Sequence, residues 1–250
     1  MASKIKIVLL IILMLIAGVM PQAFAKNKTI VLATLQWAPF YGPDLEDEGY
    51  LTALTREAFK RAGYDYKTEY MPWNRALELS KKGTYDGALG IFYNEERAKF
   101  FEYSSPLEES RMTFFTRKDQ TIQYKNLQDL SHYKIGQVLG YHYTEEFNNA
   151  TYLNKYQSYS TEVNINLLLR KKIDIIIASE KVITYLLNNK FSDRKHLFKK
   201  IDPPLVSNLL HIAISKKITD AKQIISDFNR ELKNMKKDGT FNQIKKKHGF

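Results

Sequence analysis

Between Thr29 and Tyr70 the hydrophobic period of the chain changes twice, and that alternation limits its fold more than any other feature. Thr29 to Leu35 (TIVLATL) is a β-branched apolar run, and Leu51, Leu54, Ala58, Phe59 and Ala62 then recur at helical spacing over Tyr50 to Arg61, with Gly63 as the stop. Tyr64 to Tyr70 alternates again, as a strand does. A strand, a one-stripe helix and a second strand form a unit whose strands lie parallel and whose crossover is right-handed. The same succession continues. Pro72-Trp73-Asn74-Arg75 opens a helix over Trp73 to Lys82, Gly83 closes it, and Asp86 to Phe92 is an apolar buried strand.

Arg111 to Thr116 reads as a further strand, Asn126 to Ser131 as a helical turn, and Lys134 to Gly140 as a strand ending in glycine. Thr161 to Arg170 is a helix, Ile173 to Ala178 (IDIIIA) a continuous apolar strand of the buried parallel kind, and Lys181 to Asn188 another helix. Leu209 to Ser215 is the last strand. Two helices follow, over Ala221 to Lys237 and on to Lys247, divided by Asp238-Gly239-Thr240. The chain is therefore α/β, and its second series of elements resembles the first in kind.

Met1 to Ala25 carries Lys4 and Lys6, an apolar run from Ile7 to Val19, Pro21 and the small-x-small sequence Ala23-Phe24-Ala25. This is the composition of a secretory signal peptide, and its apolar run is too short to span a bilayer comfortably. The expectation is a soluble exported chain starting at Lys26, with 1–25 removed. No cysteine is present, which excludes disulfides, thiolate chemistry and a lipid-anchored mature end. The formal charge of +11 falls to +9 without Lys4 and Lys6. The lysines cluster at Lys199-Lys200, Lys216-Lys217 and from Lys233 to Lys247 without interleaved stacking aromatics, so they read as solvated faces; nucleic acid is not an expected partner.

Asp86 to Leu107 (DGALGIFYNEERAKFFEYSSPL) runs strand, loop, short helix, strand. Asn94 caps the helix, Glu95 and Glu96 suit its positive end, and Pro106 forces a turn after Phe101 and Tyr103. Arg97 is thereby held between two strands, as either a solvated charge or an anion clamp. The loop Gln36 to Gly42 is unusually aromatic, with Trp37 and Phe40 either lining a cleft or capping the core. Trp73 and Arg75 open their helix on the same side as Trp37, again as cleft residues or as packing and solvated residues respectively.

Gly90 seven residues before Arg97, Glu96 immediately before it and Tyr103-Ser104-Ser105-Pro106 after it resemble the signature of family 3 of the bacterial extracellular solute-binding proteins. Phe228-Asn229, Leu232, Lys236 to Thr240, Ile244 and Lys247-His248-Gly249 resemble the family's terminal pattern, so the likeness spans the whole mature chain. It implies the type II periplasmic binding protein-like fold: two α/β lobes joined by two crossover strands, with the ligand cleft between them. Lobe 1 would comprise 26–111 and 211–250, and lobe 2 would comprise 112–210 including the crossover strands. It further implies that Arg97 grips a ligand carboxylate, that Trp37, Phe40, Trp73, Arg75 and Ile91 line the cleft from lobe 1, and that the glycine-led segment Gly140-Tyr141-His142-Tyr143 supplies free N–H groups from lobe 2.

One position departs from the pattern. Where amino-acid binders of the family place an aspartate for the α-ammonium, this chain has Ser179 followed by Glu180. They take over that role, or the ligand carries no α-ammonium; for Glu180 the plain alternative is a solvated helix start. The resemblance implies a periplasmic, monomeric protein that closes on a small polar solute, an amino acid or related carboxylate, and delivers it to a membrane ABC permease.

No P-loop, serine nucleophile elbow, HExxH or EF-hand pattern occurs, and the five histidines lack metal-ligand spacing, so neither cofactor, metal nor enzymatic activity is expected. Two rival readings remain on the same fold. A dehydratase-like enzyme would use a carboxylate such as Glu180 as acid or base, and a ligand-sensing protein would dock its closed form on a membrane receptor.

Overall fold

A computed structural model of the chain describes residues 28–250; the expected leader lies outside them. The first half contains β1 (Thr29–Thr34), α1 (Tyr50–Arg61), β2 (Asp65–Tyr70), α2 (Trp73–Lys82), β3 (Gly87–Phe92), the single-turn α3 (Glu95–Ala98) and β4 (Phe101–Tyr103). β1 pairs in parallel with β2 on one side and β3 on the other, as the strand-helix-strand reading requires. α1 buries Leu51, Leu54, Ala58 and Phe59 against this sheet, and Gly83 closes α2 in the left-handed conformation (φ 78°).

β5 (Glu108–Arg117) leads into the second half, which holds β6 (Lys134–Val138), α4 (Glu145–Asn149), β7 (Asn154–Ser158), α5 (Thr161–Leu169), β8 (Ile175–Ser179) and α6 (Glu180–Asn189). The long strand β9 (Phe198–Ser215) then returns the chain to the first half, where α7 (Ala221–Lys237) and α8 (Thr240–Lys247) end it. Phe228 of α7 packs 5.0 Å from Phe59 of α1, which fixes the terminal helices onto the first core.

The strand order β2-β1-β3-β9-β5-β8-β6-β7 consists of two similar series meeting at β9 and β5. Each series has three parallel strands and one antiparallel strand: β2-β1-β3 with β9, and β7-β6-β8 with β5. The likeness extends to side chains. Asp86, just before β3, accepts the Val31 N–H of β1 at 2.8 Å, and Asp174, just before β8, accepts the Lys134 N–H of β6 at 2.9 Å. In both halves a carboxylate thus satisfies a strand-end donor that the short parallel ladder leaves over.

The sequence-expected lobe limits, 111/112 and 210/211, fall inside β5 and β9. These strands pair antiparallel in two stretches, Glu108 to Met112 against Leu210 to Val206 and Phe114 to Arg117 against Ile201 to Phe198. Between them Thr113 alone faces Asp202 to Leu205, so β9 bows away from its partner at Pro203-Pro204. A proline has no N–H to give a ladder, which suits it to such a bulge.

Candidate functional site

The Asn94 side chain accepts the Arg97 N–H (2.8 Å), capping α3 and turning the Arg97 side chain inward. The residue is only 6% exposed. Its Nη1 donates to the Phe92 carbonyl at 3.1 Å, and its Nη2 reaches across to the second half to donate to the Gly140 carbonyl, also at 3.1 Å. The guanidinium lies 5.7 Å from the Trp73 ring centroid. Among the described residues no carboxylate stands within ion-pair distance of it. Burial pushes its pKa below the ordinary arginine value, because the charge has lost water without gaining an anion.

Trp73, at the first turn of α2, donates its Nε1–H to the same Gly140 carbonyl (3.2 Å). Two first-half donors therefore converge on one second-half acceptor. Gly140 has φ 78°, and a Cβ there would come within 2.9 Å of Asn74 Oδ1 on α2; glycine permits both the backbone conformation and the close approach. Trp37 stacks on Phe40 (5.0 Å) and meets Phe92 and Tyr141 edge-on (6.2 Å each), and its Nε1 is buried without a hydrogen-bond partner. Gly90, with φ 76°, lets Tyr41 lie directly on β3: a Cβ would sit 2.3 Å from the tyrosine hydroxyl oxygen.

These groups enclose two adjoining spaces. A cavity of about 20 Å³, room for one water, is walled by Arg97, Trp37, Trp73, Phe92, Tyr141 and His142 together with Leu35, Tyr41 and Gly90. Beside it a groove of about 560 Å³ runs between the halves, with Gln36, Asp44 and Tyr70 on one side and Tyr141, Tyr159, Glu162, Tyr185 and Lys190 on the other. Its size is that of a small-molecule site. Burial, and then the neighbouring Arg97 charge, push His142 below the usual histidine pKa; the Asn148 side-chain amide lies 2.6 Å from its Nδ1. Both effects favour the neutral imidazole.

Of the residues expected from sequence, Arg97, Trp37, Trp73, Tyr141 and His142 come together here, and the others do not. Phe40 is fully buried between Trp37 and the ring of Phe250, while Arg75 is exposed. Ile91 is fully buried in the ladder opposite His211. Tyr143 turns inward, its hydroxyl accepting the Val138 N–H at 3.1 Å. Ser179 is buried, its Oγ accepting from Ser110 at 2.8 Å, and Glu180 is held by Thr113 (2.9 Å), Lys200 (3.4 Å) and Arg111 (3.6 Å) on the crossover strands. Neither residue borders the cavity or the groove, so the structure does not bring the expected ammonium partner to Arg97.

The glycine-led segment also differs from expectation. α4 begins at Glu145, capped by the Thr144 side chain, so its free N–H groups lie beyond Gly140. What the segment presents to Arg97 is a carbonyl acceptor. Sequence reasoning missed Tyr159 to Glu162 because β7 (NKYQS) is too polar to read as a strand, and missed Tyr41, whose signal was the positive-φ glycine it packs on.

Two α/β halves sharing strands β5 and β9, with an aromatic cleft and a buried arginine between them, define a periplasmic binding protein-like fold. Residues 30–250 match the family model of the bacterial extracellular solute-binding proteins, family 3, and the chain belongs to that family. Its role is solute binding. No curated protein matches the chain. Among solved structures, the substrate-binding protein of an amino acid ABC transporter is similar at TM-score 0.75 and 19% identity, over 88% of this chain and 99% of that one. A histidine kinase sensor domain with similarity to periplasmic binding proteins gives TM-score 0.79 at 18% identity, over 89% and 96%. The substrate-binding protein AbpA of Streptococcus pneumoniae, solved with L-arginine, gives 0.73 at 19% identity, over 88% and 94%. At these identities the likeness is one of fold.

Proposed function

We propose that this protein works in the periplasm, after removal of residues 1–25, as a monomeric carrier that closes on a small carboxylate-bearing solute and delivers it to a membrane ABC permease. The observation that carries this reading is Arg97, a buried guanidinium in the cleft with no anion of its own among the described residues. A carboxylate presents two acceptor oxygens in one plane and matches the guanidinium fork, which a single carbonyl such as that of Gly140 does not. The ligand carboxylate replaces Gly140 on Arg97, and its body lies along Trp37, Trp73 and Tyr141 in the groove.

In this reading 26–111 and 211–250 move as one lobe and 112–210 as the other, with the bow at Asp202 to Leu205 as the natural place to bend. Ligand contacts made from both lobes favour the closed state over the open one. Binding rather than turnover is favoured, because the carboxylate considered as acid or base, Glu180, is engaged by Arg111 and Lys200 away from the cleft.

The test is calorimetry on ligands found by thermal shift among organic and amino acids. Arg97→Met strands a desolvated carboxylate, at a cost of about 3 to 5 kcal/mol, so affinity should fall more than about a hundredfold. Unchanged affinity removes Arg97 from the site. Uptake of the same compound should be lost when the gene is deleted and restored by the wild-type copy; uptake that survives deletion refutes delivery.

A further inference from the structure

The polar groups around Arg97 are unusually one-sided. The guanidinium has five N–H donors and no acceptor, and two of the five are engaged by Phe92 and Gly140. The Trp73 Nε1–H points the same way, to Gly140, and the Trp37 Nε1–H is buried with no partner. The two backbone carbonyls that meet the guanidinium are both engaged: Phe92 takes one Arg97 N–H, and Gly140 takes both Arg97 and Trp73. Of the lining side chains that could accept, the Tyr41 and Tyr141 hydroxyls stay protonated because burial pushes their pKa values well up, and burial and the Arg97 charge favour the neutral form of His142.

Among the described residues no aspartate or glutamate borders the cavity. Glu145, 3.5 Å from His142, has a side chain 73% exposed to solvent, and Glu180 is held on the crossover strands. Asp44 and Glu162 border only the larger groove, where Gln36 donates to Asp44 (3.1 Å) and Lys190 pairs with Glu162 (2.7 Å).

In an α-amino acid the ammonium is attached one carbon from the carboxylate. A carboxylate on Arg97 would therefore carry its ammonium into a space walled by N–H donors and uncharged rings. Removing an ammonium from water without an anionic partner is strongly unfavourable. Aromatic faces can attract a cation, but over Trp73 that position is held by Arg97 itself (5.7 Å). On the reading that Arg97 grips the ligand's carboxylate, we propose that the ligand is an organic acid lacking an α-ammonium group, with an apolar or aromatic body lying against Trp37, Trp73 and Tyr141. An acceptor-rich head fits the donors, and an uncharged body fits the rings.

Matched pairs that differ in the cationic nitrogen test this directly by calorimetry: hydrocinnamate against L-phenylalanine, glutarate against L-glutamate, and tert-butylacetate against glycine betaine. In every pair that binds, the acid without the nitrogen should bind at least about tenfold tighter, and Arg97→Met should remove that binding. Arg97→Lys, which keeps the charge, and far-UV circular dichroism guard against misfolding of the methionine variant. A zwitterion that binds as tightly as its partner, and is lost in Arg97→Met, overturns this inference while leaving the carboxylate clamp in place. Binding that survives Arg97→Met, or no binding by any of the six compounds, overturns the clamp and the inference together.

Discussion

Replacing Glu108 with glutamine removes one negative charge from a point where three helices meet the start of β5. The carboxylate is only 10% exposed. One oxygen accepts the Tyr50 hydroxyl of α1 and lies 2.7 Å from Lys245 Nζ of α8; the other accepts the Glu109 N–H at 3.1 Å and stands 3.6 Å from Lys181 Nζ of α6. Burial alone would raise its pKa, but the bonds from Lys245, Tyr50 and the Glu109 backbone, with the Lys181 charge, hold it below the ordinary 4.5. Glutamine keeps the tyrosine bond and loses the charge.

The Lys245 bond is charge-assisted and contributes about 1.5 to 3 kcal/mol. The Lys181 pair is longer, its lysine 44% exposed, and contributes about 0 to 1 kcal/mol. A loss of about 2 kcal/mol is expected, seen in urea denaturation at neutral pH as a midpoint about 1 M lower. A group whose folded pKa is depressed contributes stability above its unfolded value and loses it as pH falls through the folded one. The gap between wild type and Glu108→Gln should therefore be full at pH 7 and close below about pH 4.5. A loss under about 0.5 kcal/mol, or effects of Glu108→Gln and Lys245→Met that simply add, would refute the assignment.

Three further outcomes follow from the geometry. Trp73→Phe keeps the ring but deletes the donor to Gly140, so on the proposed two-lobe reading the closed-to-open ratio of the free protein should fall by about 1 kcal/mol, roughly fivefold; an unchanged radius of gyration in solution scattering would count against it. Gly90→Ala must accommodate a Cβ 2.3 Å from the Tyr41 hydroxyl oxygen at φ 76°, and should lower stability by about 2 kcal/mol or more in thermal melts, whereas a neutral result would mean Tyr41 is free to move. Burial pushes both His142 and His211 below 6.5, so the unfolded chain takes up protons first as pH falls; stability should be flat above about pH 6.5 and decline below it, and the double glutamine variant should lose that decline in melts between about pH 8 and 5.

The helices and buried strands were legible because their apolar periods are unambiguous: α1, α2 and α7 have the limits that spacing and glycine stops indicate. β9 was half visible. Leu209 to Ser215 carries the pattern of a strand, but Phe198 to Leu205 is interrupted by Lys199-Lys200 and Pro203-Pro204, residues that suit a ribbon exposed between two halves and hide it from a hydrophobicity argument. That Arg97, Trp37 and Trp73 share one cleft is consistent with the short, well-marked turns that precede each of them. That Ser179 and Glu180 lie away from the cleft was not legible, because position along a strand does not say which face its end presents: Ser179 bonds Ser110, and Glu180 is held by Thr113, Arg111 and Lys200, all on the crossover strands. That a carbonyl rather than an N–H faces Arg97 depends on the backbone angle at Gly140, which the glycine makes available but does not dictate.

The nine strands of the described residues form one hydrogen-bonded sheet, and β9, which with β5 joins the two halves, is 18 residues long. Two bodies joined in this way are not hung on a slack tether. Any rotation between them must be taken up as torsion of a shared ribbon, which resists in proportion to the number of bonds it distorts. The four residues of β9 that face Thr113 alone are where the fewest ladder bonds would resist, so on the two-lobe reading a rotation would concentrate there. Lengthening or straightening that bow would retune how far the cleft swings without altering any residue that lines it.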